Sequence, residues 1–184
     1  MAGEMIRIAL PGAAGKMGKM IRDLVAENTE FEIAALTEHA DHPLVGFTSD
    51  GFCLSADASM LGLGKGGVIV DFTRPDATLT HIEIARETGT AMVIGTTGFT
   101  KVQEKLLIQA AADIPIVYCA NTSVGVTLLV QIVRQVAGQL GQDWDIEIVE
   151  AHHNQKIDAP SGTALALGQA AANGRNVSFD DVRD

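Results

Sequence analysis

The sequence predicts an α/β protein whose first part is a doubly wound parallel sheet. Three observations predict it. Short β-branched apolar runs alternate with segments of helical period. A glycine-rich turn stands where the first run meets the first helix. Glycine is frequent, 19 among 184 residues, while aromatic residues make up only 4%. Short apolar runs suit buried strands, and apolar stripes at i, i+3, i+4 suit helices. Their alternation implies parallel strands joined by right-handed helical crossovers.

The elements follow in order. MIRIALP (5–11) reads as a strand, and Lys16 to Glu27, with Met17, Met20, Ile21, Leu24 and Val25 on one stripe, as a helix. FEIAALT (31–37) is a second strand; residues 38–67 are rich in Gly, Asp and Ser, with a weak strand near Phe52. GVIVDFT (67–73) is a buried strand, and Pro75, suited to a first helical turn, opens a helix to Thr88. AMVIGTT (91–97) and IPIVYCA (114–120) are strands separated by a helix over Thr100–Ala112. Ser123 to Leu140 is a long apolar helix, WDIEIVEAHH (144–153) alternates like a half-exposed strand, and Ser161 to Ala172 is a last helix. The polar tail, 173–184, shows no closing element.

Composition narrows the function. An apolar content of 47% fits a folded globular chain, and a formal charge of −10 argues against nucleic acid or an anionic membrane as partner, since both demand a basic face. No run of eighteen apolar residues predicts a membrane span. MAGEMIRIALPG lacks the features of a signal peptide. The two cysteines, Cys53 and Cys119, lack metal-type spacing. Together these point to a cytoplasmic protein with free thiols.

Gly12-Ala13-Ala14-Gly15-Lys16-Met17-Gly18 is G-x-x-G-x-x-G, directly after the first strand and opening a helix. Glycine there permits a tight turn, backbone approach to a pyrophosphate, and close helix–strand packing. The helix N-terminus offers N–H groups and a positive dipole to phosphates. The second strand ends in Thr37-Glu38, at the distance the dinucleotide fingerprint expects. Glu38 is placed to accept hydrogen bonds from the adenosine ribose hydroxyls and to repel a 2′-phosphate, which favours NADH. A glycine-rich βα turn and a solvated strand-end glutamate are the plainer alternatives. Two further strands end in Gly95-Thr96-Thr97-Gly98 and Cys119-Ala120-Asn121-Thr122, and ligands of open α/β sheets bind beyond such carboxyl ends. Asp71-Phe72-Thr73-Arg74 ends another strand bordering the same cleft; Arg74 reads as a surface or hinge ion pair.

The stretch EAHHNQKIDAPSGTA (150–164) sets a second site. His152 and His153, adjacent on a strand, point to opposite faces and do not share one metal ion, so no metal is expected. Pro160 and Ser161 begin a helix whose Gly162 and Thr163 N–H groups suit a carboxylate. Lys156 adds a charge, and histidine is the side chain best poised to move a proton near neutrality. The residues alone leave two readings open: an anion clamp with proton donors, or a surface histidine pair beside a capped helix.

GAAGKMG, VDFTRPDATLTH, VIGTTGF, ANTSVGV and above all EAHHNQKIDAPSGTAL resemble the dihydrodipicolinate reductase (4-hydroxy-tetrahydrodipicolinate reductase) family, in order from Gly12 to about Leu167. The resemblance implies a Rossmann-like dinucleotide domain (1–122) followed by an α+β substrate and catalytic domain (123–184) that is incomplete relative to the family, whose chains continue past residue 184 and form homotetramers. It implies NAD(P)H-dependent reduction, with dehydration, of 4-hydroxy-tetrahydrodipicolinate, a small dicarboxylate, in the diaminopimelate route to lysine. By matching motifs, His152 would be the general acid/base and Lys156 a second proton donor that also attracts the carboxylate. His153 would contact substrate, and Gly162 and Thr163 would hold a carboxylate. Gly12 to Met17, Glu38, Gly95 to Thr97 and Cys119 to Thr122 would line the cofactor. His39 stands where family members often carry an arginine, which favours NADH while leaving NADPH possible. The alternative is a non-catalytic dinucleotide-binding fragment of such an enzyme.

Overall fold

The structure is a computed structural model and describes residues 5–49, 51–119, 121–141, 143–152, 154 and 159–183. The chain divides into two compact units, Met1–Cys119 and Ala120–Asp184.

In the first unit, β1 (Ile6–Pro11), α1 (Lys16–Ala26) and β2 (Phe31–Thr37) come first. A small antiparallel hairpin follows, β3 (Thr48–Ser49) with β4 (Phe52–Cys53). A 3-10 turn (Ala58–Leu61) leads to β5 (Gly67–Asp71), α2 (Pro75–Thr88), β6 (Ala91–Ile94), α3 (Lys101–Ala110) and β7 (Ile116–Tyr118). The five long-range strands pair in parallel in the order β2-β1-β5-β6-β7. The winding therefore reverses between β1 and β5, and such a switch point opens a crevice at the carboxyl ends of the strands.

Alternation of side chains across a strand sends neighbours to opposite faces. Ala9, Ala35 and Ile69 pack with Ile82, Ala85, Met92, Ile94, Leu107 and Ile114, while Leu10 and Leu36 pack on the other side with Ala13 and Leu54. Each fully buried Leu, Ile or Met side chain among them contributes about 1.5–3 kcal/mol. The helix ends obey local rules. Pro75 stands in the first turn of α2, Gly89 closes that helix at φ 72°, and Thr100 with Gln103 forms a reciprocal capping box on α3.

The second unit holds α4 (Val124–Gln139), α5 (Gly162–Gly174) and the short α6 (Phe179–Val182). The first two pack closely because glycine faces backbone at their contact. A Cβ on Gly174 would stand 2.2 Å from the Arg134 carbonyl oxygen, and one on Gly138 2.9 Å from that of Gly174. Phe179 of α6 lies against Gly168 of α5, where a Cβ would come within 2.6 Å of the ring. The sequence suggested no closing element here; this helix is one.

The sequence also predicts a strand over 144–153, and the described residues of that stretch form none. Trp144, Ile146, Ile148 and Val149 are exposed instead. Alternation expresses a preference for half-burial, but a strand exists only when a neighbour completes its hydrogen-bond ladder. Among the described residues, no helix is long and apolar enough to cross a membrane.

Candidate functional site

The glycine turn sits at the switch point of the first unit. Gly12 follows β1 with φ +67°, a left-handed conformation costly to any residue with a Cβ. Gly15 N–H donates to the Gly12 carbonyl at 3.0 Å, and Ala13 N–H to that of Thr37 at 3.1 Å. Gly15 is the N-cap of α1 and brings no side-chain cap. The helix start therefore presents backbone N–H groups, as an α-helix must. Gly18 closes the arrangement: a Cβ there would lie 2.4 Å from the Gly12 carbonyl oxygen and 2.7 Å from Ala13 backbone. A cavity beside this turn is lined by Gly12, Gly15, Lys16, Met17, Gly18 and Phe72.

Glu38 follows β2 and is half-buried. Its carboxylate accepts hydrogen bonds from the N–H groups of Ala14 (3.1 Å) and His39 (3.1 Å). The strand-end carboxylate is thus hooked onto the glycine turn, with lone pairs to spare for hydroxyl donors. His39 is exposed, and its Nδ1 lies 3.6 Å from an Asp41 carboxylate oxygen. A second cavity adjoins Ala14, bordered by Lys19, Arg22, Leu44, Phe47, Phe52 and Leu54.

Of the predicted loop after β6, Gly95 lies under the Phe72 ring, where a Cβ would come within 2.0 Å of a ring carbon. Thr97 is exposed, whereas Thr96 is 2% exposed and its hydroxyl donates to Asp71 Oδ1 at 3.3 Å. A ligand contact from Thr96 would therefore run through its backbone. Cys119 N–H extends the sheet by donating to the Ile94 carbonyl at 3.0 Å. In the second unit, Asn121 Oδ1 accepts from Ser123 N–H at 2.9 Å, and Ser123 caps α4; Thr122 beside it is exposed. Ala120 lies outside the described residues.

Sequence reasoning missed a fully buried carboxylate of the first unit. Asp71, at the end of β5, is 0% exposed. Its Oδ2 accepts from His81 Nδ1 at 2.7 Å, and its Oδ1 from the Thr73 N–H (2.9 Å) and hydroxyl (2.6 Å). Burial by itself pushes this carboxyl up, but the His81 ring and the Thr73 donors outweigh it and hold it below the usual carboxylate range. A lowered folded-state pKa stabilises the protein above the unfolded carboxylate value of about 4, and that contribution disappears as pH falls below it. Asp71→Asn, which replaces a charged acceptor of these hydrogen bonds by a neutral one, is therefore expected to lower stability by about 1–3 kcal/mol near neutrality. Thermal unfolding of both proteins followed down to acid pH should show the difference shrinking; a constant difference would mean that ionisation of Asp71 is not its origin.

In the second unit, Ser161 is the N-cap of α5, accepting from Ala164 N–H at 3.1 Å. Gly162 and Thr163 form the first turn, with Thr163 exposed. Glu150 was passed over in the sequence, yet it joins the predicted pieces. One oxygen accepts from Ser161 N–H at 2.8 Å, and the other lies 3.6 Å from His152 Nδ1. The i, i+2 spacing of Glu150 and His152 was the available signal, since extended chain puts such residues on one side. His153 and Lys156 lie outside the described residues.

A family profile described as "Dihydrodipicolinate reductase, N-terminus" matches residues 6–122, and one described as "Dihydrodipicolinate reductase, C-terminus" matches residues 125–183. A protein of Hahella chejuensis named 4-hydroxy-tetrahydrodipicolinate reductase is 44% identical, over 95% of this chain and 68% of its own length. A protein of the same name from Roseobacter denitrificans is 41% identical, over 97% of this chain and 68% of its own. The solved structure of a dipicolinate-bound dihydrodipicolinate reductase from Paenisporosarcina sp. TG-14 superposes with a TM-score of 0.69 at 28% identity, covering 94% of this chain and 67% of that one. The two profiles together match most of both units; the chain belongs to the dihydrodipicolinate reductase family.

Proposed function

We propose that the chain reduces 4-hydroxy-tetrahydrodipicolinate to tetrahydrodipicolinate, with residues 1–122 binding the dinucleotide and residues 123–184 belonging to the substrate and catalytic part. The observation that carries this reading is the cradle at the switch point. Gly12 takes a left-handed turn, Gly18 packs where a Cβ would strike the Gly12 and Ala13 backbone, and Glu38 is hooked to Ala14 beside them. The first unit's residues suit a dinucleotide: the start of α1 for the pyrophosphate, Glu38 for the adenosine ribose, Gly95 and Thr97 for the nicotinamide end; Cys119, Ala120, Asn121 and Thr122 are assigned to the cofactor by their motif alone. When bound, the reduced nicotinamide supplies a hydride. The substrate ring loses its hydroxyl as water, and one hydride and one proton reduce the unsaturated imine that remains. His152 serves as general acid/base, Lys156 as a second proton donor and carboxylate partner, and His153 contacts the substrate. Gly162 and Thr163 take a carboxylate at the start of α5, where Ser161 fixes the helix end.

The Glu38 carboxylate disfavours a 2′-phosphate, and Asp41 beside His39 adds to that bias. Lys19 and Arg22 border the cavity next to Ala14, so NADPH is expected to bind as well, though less tightly. The test is a coupled assay in which pyruvate, aspartate semialdehyde and the condensing synthase generate the substrate in place. Nucleotide oxidation that requires both carbon substrates is expected, with NADH preferred over NADPH. Tight dinucleotide binding without turnover would instead make the chain a binding fragment, and a marked NADPH preference would overturn the role given to Glu38.

A further inference from the structure

The buried cluster around Asp71 has no part in the reaction above, yet its connections all lead to the proposed dinucleotide site. A carboxylate serving stability alone needs only local partners. Asp71 instead distributes its acceptor positions over three elements. Oδ2 takes His81 from α2, and Oδ1 takes Thr73 from the loop after β5 and Thr96 from the loop after β6. Its backbone carbonyl accepts Gly95 N–H at 2.8 Å. Thr78, buried in the first turn of α2, donates its hydroxyl to that of Thr96 at 2.9 Å. These bonds set positions that the cradle uses. The Thr73 methyl would lie 3.0 Å from a Cβ on Gly12, and the neighbouring Phe72 covers Gly95 and borders the cavity of the glycine turn.

We propose that the Asp71–His81 pair positions the dinucleotide: through Thr73, Thr78 and Thr96 it holds the three loops after β1, β5 and β6 in register with one another. His81 and Asp71 are positioning residues, since neither reaches the cavity surface. The inference rests on the dinucleotide reading of that site.

The test compares His81→Leu with His81→Asn. An asparagine amide nitrogen can take the place of Nδ1 and donate to Asp71; leucine fills the space without a donor. In the folded leucine variant, hydrogen exchange at the Thr73 and Gly95 amides is expected to quicken while β1 and β2 stay protected. NADH affinity by calorimetry should fall at least about tenfold. The asparagine variant should recover most of both losses, which a simple packing defect would not predict. Native exchange at Thr73 and Gly95 with native NADH affinity in the leucine variant would overturn the proposal. Should that variant fail to fold, Thr78→Val keeps volume and the Asp71–His81 pair while removing the shorter of the two hydrogen bonds to the Thr96 hydroxyl, the longer one to Asp71 remaining. Weaker NADH binding is then expected, and unchanged binding with unchanged exchange at Gly95 counts against the proposal. If the wild-type chain binds no dinucleotide, the functional reading falls instead, and the exchange comparison alone decides whether the pair holds these loops.

Discussion

Replacing His152 by Gln is expected to slow turnover by about 10²–10⁴-fold, the usual worth of a positioned general acid, while dinucleotide binding stays unchanged. Glutamine can donate a hydrogen bond but cannot release and recover a proton at neutral pH, so the change separates proton transfer from contact. Glu150 bears on the expectation: it lies 3.6 Å from His152 Nδ1 and is anchored by the Ser161 N–H. A carboxylate in that place is positioned to fix the ring's direction. Turnover in the coupled assay and NADH binding by calorimetry give the two halves of the answer. Native kcat in His152→Gln would remove His152 from the chemistry and leave Lys156 as the remaining candidate donor.

Gly18→Ala is expected to abolish the cradle. The added methyl would meet the Gly12 carbonyl oxygen at 2.4 Å and Ala13 backbone at 2.7 Å. No side-chain rotation relieves a collision between a Cβ and main chain, so α1 must lift from the turn or the turn must open. Overpacking of this kind costs roughly 1–3 kcal/mol, and the high end is expected because both partners are backbone. Either relief displaces the N–H groups at the start of α1. NADH affinity should fall by about two orders of magnitude, as for a misplacement near 1 Å, and melting curves with and without NADH should show the ligand-induced stabilisation gone. A variant with native affinity would mean that the pyrophosphate does not lie against this turn.

Most of the fold was legible because its signals are local. Strand runs such as FEIAALT and the stripe of α1 state their period over a few residues, and β2 spans the predicted Phe31–Thr37. The glycine turn was legible for the same reason: a left-handed Gly12 and a Gly18 pressed on backbone are requirements of single positions. The Asp71–His81 pair was not, although both residues stand in VDFTRPDATLTH. Which way a strand-end aspartate and a helical histidine point is decided by how α2 lies on the sheet. For the same reason Thr96 reads as a ligand residue in the sequence and turns its hydroxyl inward in the structure. The alternation of WDIEIVEAHH misled because pairing belongs to the neighbour as much as to the segment.

The strand order also sets a sequence of events. β1 ends at Pro11, while β5, its partner on the side away from β2, begins only at Gly67. A chain folded only as far as β2 possesses every glycine of the turn but lacks Thr73 beneath Gly12. The cradle is complete only after a long loop has closed and the centre of the sheet has zipped, the slow kind of contact in folding. Nucleotide capture thus comes after topological closure, and a nascent or partly unfolded chain has the motif without the binding.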